Sequence, residues 1–151
     1  DRIPFINNSL DLVTCFDVLG QKEVRSIQKS IVEFYRVLKP EGTLMIRVAA
    51  YSWLMGYHDK AVHTKHRFEI NELKTLLTKN KFKVVKATHA NSFLFPLTII
   101  KRLLIKTTAS DVKQINRTVN WLFKIPFLFE TLLIKYFNLP FGLSVIVVAK
   151  K

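Results

Sequence analysis

LDLVTCFDVLGQKEVRSIQKSIVEFYRVLKPEGTLMIRVA, residues 10–49, reads as strand, helix, turn and strand. Its first piece, Leu10 to Val18, is apolar from Leu12 to Phe16 except for β-branched Thr14. A short continuous apolar run is the pattern of a strand buried on both faces. From Lys22 to Leu38 apolar residues recur in steps of three and four: Val24, Ile27, Ile31, Phe34, Tyr35 and Leu38. Lys22, Arg25, Lys29, Glu33 and Arg36 fall mostly on the other side, so the segment is an amphipathic helix that packs on a sheet. Lys39-Pro40 stops that helix and Glu41-Gly42 turns the chain. Thr43 to Ala49 is β-rich again. Short connections make this a βαβ unit with parallel neighbouring strands, and the sheet is of the α/β type with helices on its faces.

Outward from this unit, Pro4 and Asn7-Asn8-Ser9 mark a loop upstream. Downstream, Tyr51 to Phe68 is aromatic, His-rich and without period; a long irregular segment in a compact domain is usually functional. Glu69 to Asn80 is a second amphipathic helix, with Ile70, Leu73, Leu76 and Leu77 as its stripe. Phe82 to Thr88 alternates as a strand near an edge. Two apolar segments with scattered Lys and Arg follow, Asn91 to Lys106 and Val119 to Tyr136. Gly142 opens a last strand that ends at Lys150 and Lys151. No uninterrupted run reaches the roughly 18 apolar residues that span a bilayer.

The 151 residues suit one domain, 1–151. With 49% hydrophobic and 23% charged residues, the chain is neither disordered nor of low complexity. The single cysteine, Cys15, excludes an internal disulfide framework and fits a reducing, cytoplasmic setting. Lys and Arg number 24 against 11 acidic residues, a formal charge of +13. Such an excess fits nucleic acid, an anionic membrane or an acidic ligand; it equally fits lysines spread over solvated faces, since no run of five basic residues occurs. The chain opens on Asp1 rather than Met, and reads as a piece of a longer or processed protein.

Ile3-Pro4-Phe5, Asn8-Ser9, Leu10-Asp11 and the string Arg36-Val37-Leu38-Lys39-Pro40 before a glycine turn resemble the class I S-adenosylmethionine (SAM)-dependent methyltransferase family. Trp53, Gly56, His58-Asp59, His63 and His66-Arg67-Phe68 resemble a substrate-side insertion of one branch, and Leu139-Pro140-Phe141-Gly142-Leu143-Ser144 before a last strand fits the same branch. The resemblance covers the back half of the family's domain. The glycine-rich loop that cradles SAM belongs to the front half, and none of Gly20, Gly42, Gly56 and Gly142 makes a GxGxG spacing. It implies a Rossmann-like α/β fold, its C-terminal part, with four strands in the order 4-5-7-6. The last strand would be antiparallel, residues 51–68 a substrate-side loop and residues 91–138 an added helical cap. The first strand would then expose an edge, a hazard for self-association.

Ligands of open α/β sheets sit beyond the carboxyl ends of the strands. The resemblance implies that Cys15, Phe16 and Asp17 border the methionine part of SAM there, and that Asp1 and Ile3 line its adenine pocket. Cys15 also fits a small buried hydrophobe. Where relatives read Val-Leu-Glu-His, this chain reads Val18-Leu19-Gly20-Gln21. In the loop, His58 or His63 suits a general base, since histidine titrates near neutrality, and Asp59 suits its orientation. Arg67 suits an anion anchor or a brace of the loop; Tyr51, Trp53 and His66 suit the acceptor pocket. The His/Asp spacings match no metal signature, and no metal is expected.

The implied reaction is methyl transfer from SAM to a small, apolar or lipid-like acceptor. The absent SAM loop also fits a non-catalytic, methyltransferase-like module. The two apolar segments, with Lys101, Arg102, Lys106, Lys124 and Lys135, fit either a cap packed over the sheet or a peripheral contact with an anionic membrane. No motif for a flipped base and no interleaved aromatic and basic stripe occurs, so nucleic acid is not an expected partner.

Overall fold

The computed structural model describes residues 2–104 and 117–151. Strand β1 (Leu10–Phe16) leads through helix α1 (Ile27–Val37) to strand β2 (Leu38–Ala49), and the two strands pair in parallel. Helices α2 (Tyr57–Ala61) and α3 (Ile70–Lys79) precede strand β3 (Lys83–Ala90). Helices α4 (Leu94–Leu104) and α5 (Arg117–Tyr136) follow, and strand β4 (Ser144–Lys150) closes the described chain. The sheet order is β1-β2-β4-β3, with β4 antiparallel to both of its neighbours. This is the order that the resemblance implied.

Side chains alternate across a strand, so Leu44, Ile46 and Val48 of β2 share one face. They form one core with Val145, Val147 and Ala149 of β4, Ile31 of α1, and Leu73 and Leu77 of α3. Met45 and Arg47 take the other face of β2, where Arg47 is exposed. Helix α1 starts at Ile27 rather than Lys22 because Ser26 caps it. The Ser26 hydroxyl accepts the Lys29 N–H at 3.2 Å, satisfying one of the free donors of the first turn. Strand β2 starts at Leu38, earlier than Thr43: Leu38 pairs with Leu10, after which the register shifts and Leu12 pairs with Thr43. Glu41 lies in that shift at a φ of 63°, a conformation that suits glycine better than glutamate.

Strand β1 departs from its expected burial. Only Cys15 of its seven residues is buried, while Leu12 and Phe16 are exposed. The strand packs Val13 and Cys15 on the core, whereas its face with Leu12, Thr14 and Phe16 meets no second layer among the described residues.

Arg36 ties the upstream loop to α1. Its guanidinium donates to both Glu33 carboxylate oxygens at 2.8 Å, to the carbonyls of Ile3 (3.0 Å) and Phe5 (2.9 Å), and to Asn7 Oδ1 (2.8 Å). These five bonds use the whole donor set of an arginine. Bonding from Arg36, then from the Ile3 N–H, holds the Glu33 carboxyl down at about 2 against an ordinary 4.5. The folded value lies below the unfolded one, so this contribution to stability is full above about pH 4.5. It is lost as pH falls towards about 2. Amide exchange in residues 3–9 is therefore expected to accelerate selectively across that window. Glu33→Gln should remove the pH dependence of the effect.

On the far side of the sheet from the described start of the chain, Glu130 of α5 is buried. Its carboxylate accepts backbone N–H groups of Asn91, Ser92 (2.9 Å) and Phe93 at the start of α4, where a negative charge is favoured by the helix dipole. The central part of the expected helical cap, residues 105–116, lies outside the described residues.

Candidate functional site

The ends of β1 and β2 and the segment that follows β2 enclose a cavity of about 260 Å³. Asp17, Gly20, Ala49, His58, Thr64 and His66 are among its walls. The segment 51–68 folds back so that Phe68 pairs with the end of β2: its N–H donates to the Ala49 carbonyl at 2.9 Å, and its carbonyl accepts the Tyr51 N–H at 3.2 Å. The returning chain also meets the exit of β1. The Gly20 carbonyl accepts N–H groups of Lys65 (2.7 Å) and His66 (3.1 Å).

Asp59 and Arg67 brace this loop from inside. Both are buried. Asp59 accepts Arg67 Nε at 2.8 Å and Nη2 at 2.7 Å, and the Gly56 N–H at 2.7 Å. Arg67 Nη1 donates to the Ala50 carbonyl at 2.8 Å. One guanidinium thus joins α2 to the end of β2, the bracing alternative for Arg67.

The three candidate histidines separate. His58 lines the cavity, and its Nδ1 is buried without a hydrogen-bond partner. His66 lines it too, but its Nε2 is 2.8 Å from Glu72 Oε1 and its ring stands edge-on to Phe68. His63 is exposed and is held at a φ of 59°, with its carbonyl accepting the Lys22 N–H at 3.0 Å; it is not among the residues that line the cavity. Among the described residues no group of three or more His, Cys, Asp or Glu is placed to hold a metal ion.

On the cofactor side, the Cys15 side chain is packed in the core, and burial chiefly raises its thiol pKa. The next residue, Phe16, faces the other way and is exposed, with the Arg47 guanidinium 5.5 Å above its ring centre. Arg47 also pairs with Asp17, donating from Nε at 3.0 Å and from Nη2. The half-buried Ile3 is fixed through its backbone to Glu33 and Arg36. Asp1 lies outside the described residues.

Tyr51 and Trp53 belong to a cluster of rings beyond the ends of β2 and β3. Tyr51 stacks on His89 at 5.3 Å with 11° between the planes, and lies 5.6 Å from Trp53 and 5.3 Å from Phe95; Phe95 continues to Phe141 at 5.7 Å. Burial chiefly raises the Tyr51 phenol pKa. Trp53 and Phe141 remain exposed, so part of this cluster of tilted rings faces solvent. His89 is itself buried, with Nδ1 3.2 Å from the Leu139 carbonyl. Sequence reading missed His89, Phe95 and Arg47 as neighbours of the site. Arg47 carried a signal, as the one charge in the apolar stretch 43–49, and Phe141 stood in a motif whose approach to the ring cluster was not legible.

A family model described as a methyltransferase domain matches residues 1–46. An uncharacterized protein of Haemophilus influenzae is 33% identical over 82 residues, 54% of this chain and 32% of that one. A SAM-dependent methyltransferase of Mesorhizobium loti superposes with a TM-score of 0.58 at 12% identity, over 100% of this chain and 66% of its own. One from Archaeoglobus fulgidus gives 0.56 at 14% identity, over 97% and 62%. Phosphoethanolamine N-methyltransferase 2 of Haemonchus contortus, solved with S-adenosyl-L-methionine, gives 0.55 at 16% identity, over 97% and 34%. The fold is that of the class I SAM-dependent methyltransferases. The chain spans about a third of the curated relative and at most about two thirds of these solved ones.

Proposed function

We propose that this chain forms the acceptor-side half of an enzyme that transfers a methyl group from SAM to a small acceptor with an apolar, lipid-like part. The observation that carries the reading is His58, whose buried Nδ1 has no partner and which lines the cavity at the strand ends. An acceptor hydroxyl or amine in that cavity would give its proton to His58 as the methyl arrives. SAM, when bound, supplies a methyl group already activated on a sulfonium. The residues present fit that cofactor: the exposed Phe16 ring is an apolar surface, and the solvent-facing Asp17–Arg47 pair complements an amino-acid zwitterion. Tyr51, Trp53, Phe95 and Phe141 would wall the apolar part of the acceptor, and Asp59 with Arg67 would keep the loop closed over it. Alignment and exclusion of water are the protein's main share of such a transfer. The lone buried thiol of Cys15 fits a cytoplasmic setting.

The test is transfer of radiolabel from methyl-labelled SAM, catalysed by the complete protein, into an organic-extractable product. His58→Ala should lower kcat by roughly 10²–10⁴-fold, the usual worth of a positioned base, while SAM affinity holds. An unchanged kcat in His58→Ala overturns the role of His58. Failure of the complete protein to bind SAM overturns the reading itself.

A further inference from the structure

We propose that α4 and α5 present a face that docks on an anionic lipid surface. Among the described residues of α5 the exposed large apolar ones are Ile125, Leu128, Phe129, Leu132 and Tyr136. Their spacing of three and four puts them within roughly 100° of one helix side. Leu128, Leu132 and Tyr136 keep 68%, 61% and 71% of their surface exposed. The opposite side of the helix carries the buried Glu130 that binds the start of α4, so the apolar stripe points away from its own domain. On α4, Leu97 and Ile100 are exposed, as is Phe93 just before the helix. The Phe93 and Phe129 rings approach to 6.4 Å and join the two stripes into one patch. Monomeric proteins rarely leave such a contiguous apolar area in water.

Charge selects the occupant. Lys124 and Lys135 are exposed on the flank of the α5 stripe, and Lys101, Arg102 and Arg117 belong to the same two helices. The only acidic residue of those helices is Glu130, which is buried on backbone N–H groups. A second copy would bring two chains of charge +13 together, lysine against lysine. Anionic headgroups instead complement the lysines while acyl chains take up the stripe, as for amphipathic helices that lie in a membrane interface. No described helix is long and apolar enough to cross a membrane, so the contact is peripheral. The proposal does not rest on methyl transfer, and its readout needs no turnover.

Sedimentation of the complete protein with vesicles of phosphatidylcholine and phosphatidylserine, against phosphatidylcholine alone, tests it. Binding should be at least about tenfold stronger on the mixed vesicles and should weaken in high salt. Leu128→Glu with Leu132→Glu, both on the exposed stripe, should lower it by at least about tenfold with Tm unchanged. Absence of binding to the mixed vesicles overturns the proposal, as does binding that the double variant retains. A dimer in light scattering that the double variant dissolves also overturns it, because a second copy then covers the stripe.

Discussion

Arg67→Met is expected to cost about 3–5 kcal/mol of stability, the usual penalty for removing one partner of a buried ion pair. Both side chains are almost fully buried, at 8% exposure for Arg67 and 2% for Asp59, so water cannot take over the role of the guanidinium. The loss should be concentrated in the segment 51–68, which Arg67 joins to the Ala50 carbonyl. Arg67→Lys should recover little, because one ammonium cannot reproduce a fork that meets Asp59 and Ala50 together. Urea unfolding of the single variants and of Asp59→Leu with Arg67→Met measures the coupling. The double variant should be more stable than Arg67→Met alone, since it no longer buries the carboxylate. A loss under about 1 kcal/mol for Arg67→Met, typical of an exposed pair, would show that the clamp does not hold the loop.

Gly20→Ala is the second large effect expected. A Cβ at Gly20 would stand 2.3 Å from the His66 carbonyl oxygen, far inside contact distance, and the obstacle is backbone rather than a movable side chain. The backbone there needs no positive φ, so the cost is steric alone. Overpacking of this kind costs about 1–3 kcal/mol or more. The strand-exit turn and the returning loop must separate, which strains the bonds from Lys65 and His66 to the Gly20 carbonyl. Faster amide exchange at Lys65 and His66, together with a lowered Tm, is the expected signature. Unchanged exchange there would mean that the two segments are not in contact in solution.

Much of the fold was legible in residues 10–49. Periodicity located α1 and α3 to within a few residues, and the turn at Glu41-Gly42 required a parallel return. The start of α1 was legible in principle through Ser26, but Val24 continued the apolar rhythm and concealed it. The burial of β1 was not legible. An apolar run states that a strand can be covered on both sides, whereas cover depends on which segments lie beside it. The insertion of β4 between β2 and β3 came from the resemblance; nothing in SVIVVAK itself distinguishes a central antiparallel strand from another apolar one.

The candidate site was legible as a region and not as an arrangement. His58, Asp59, His66 and Arg67 stood out by type within one irregular segment. Their separation into a clamp, a cavity-lining histidine and a surface pair depends on how that segment turns. Arg67 reaches Asp59 across eight residues only because α2 is short and the chain reverses at His63. His89 and Phe95 meet Tyr51 from two other elements, and no local pattern reports such distant approaches.

By itself the sequence determined the alternation of strand and helix, the basic charge and the absence of an internal disulfide, since each follows from local composition and spacing. Only the tertiary structure decided that Asp59 neutralises Arg67, that His58 lines a cavity with its Nδ1 buried and unpaired, and that α5 turns its apolar stripe outward. Those three depend on which side chain meets which backbone across long separations in the chain, a matter of packing geometry rather than of residue type.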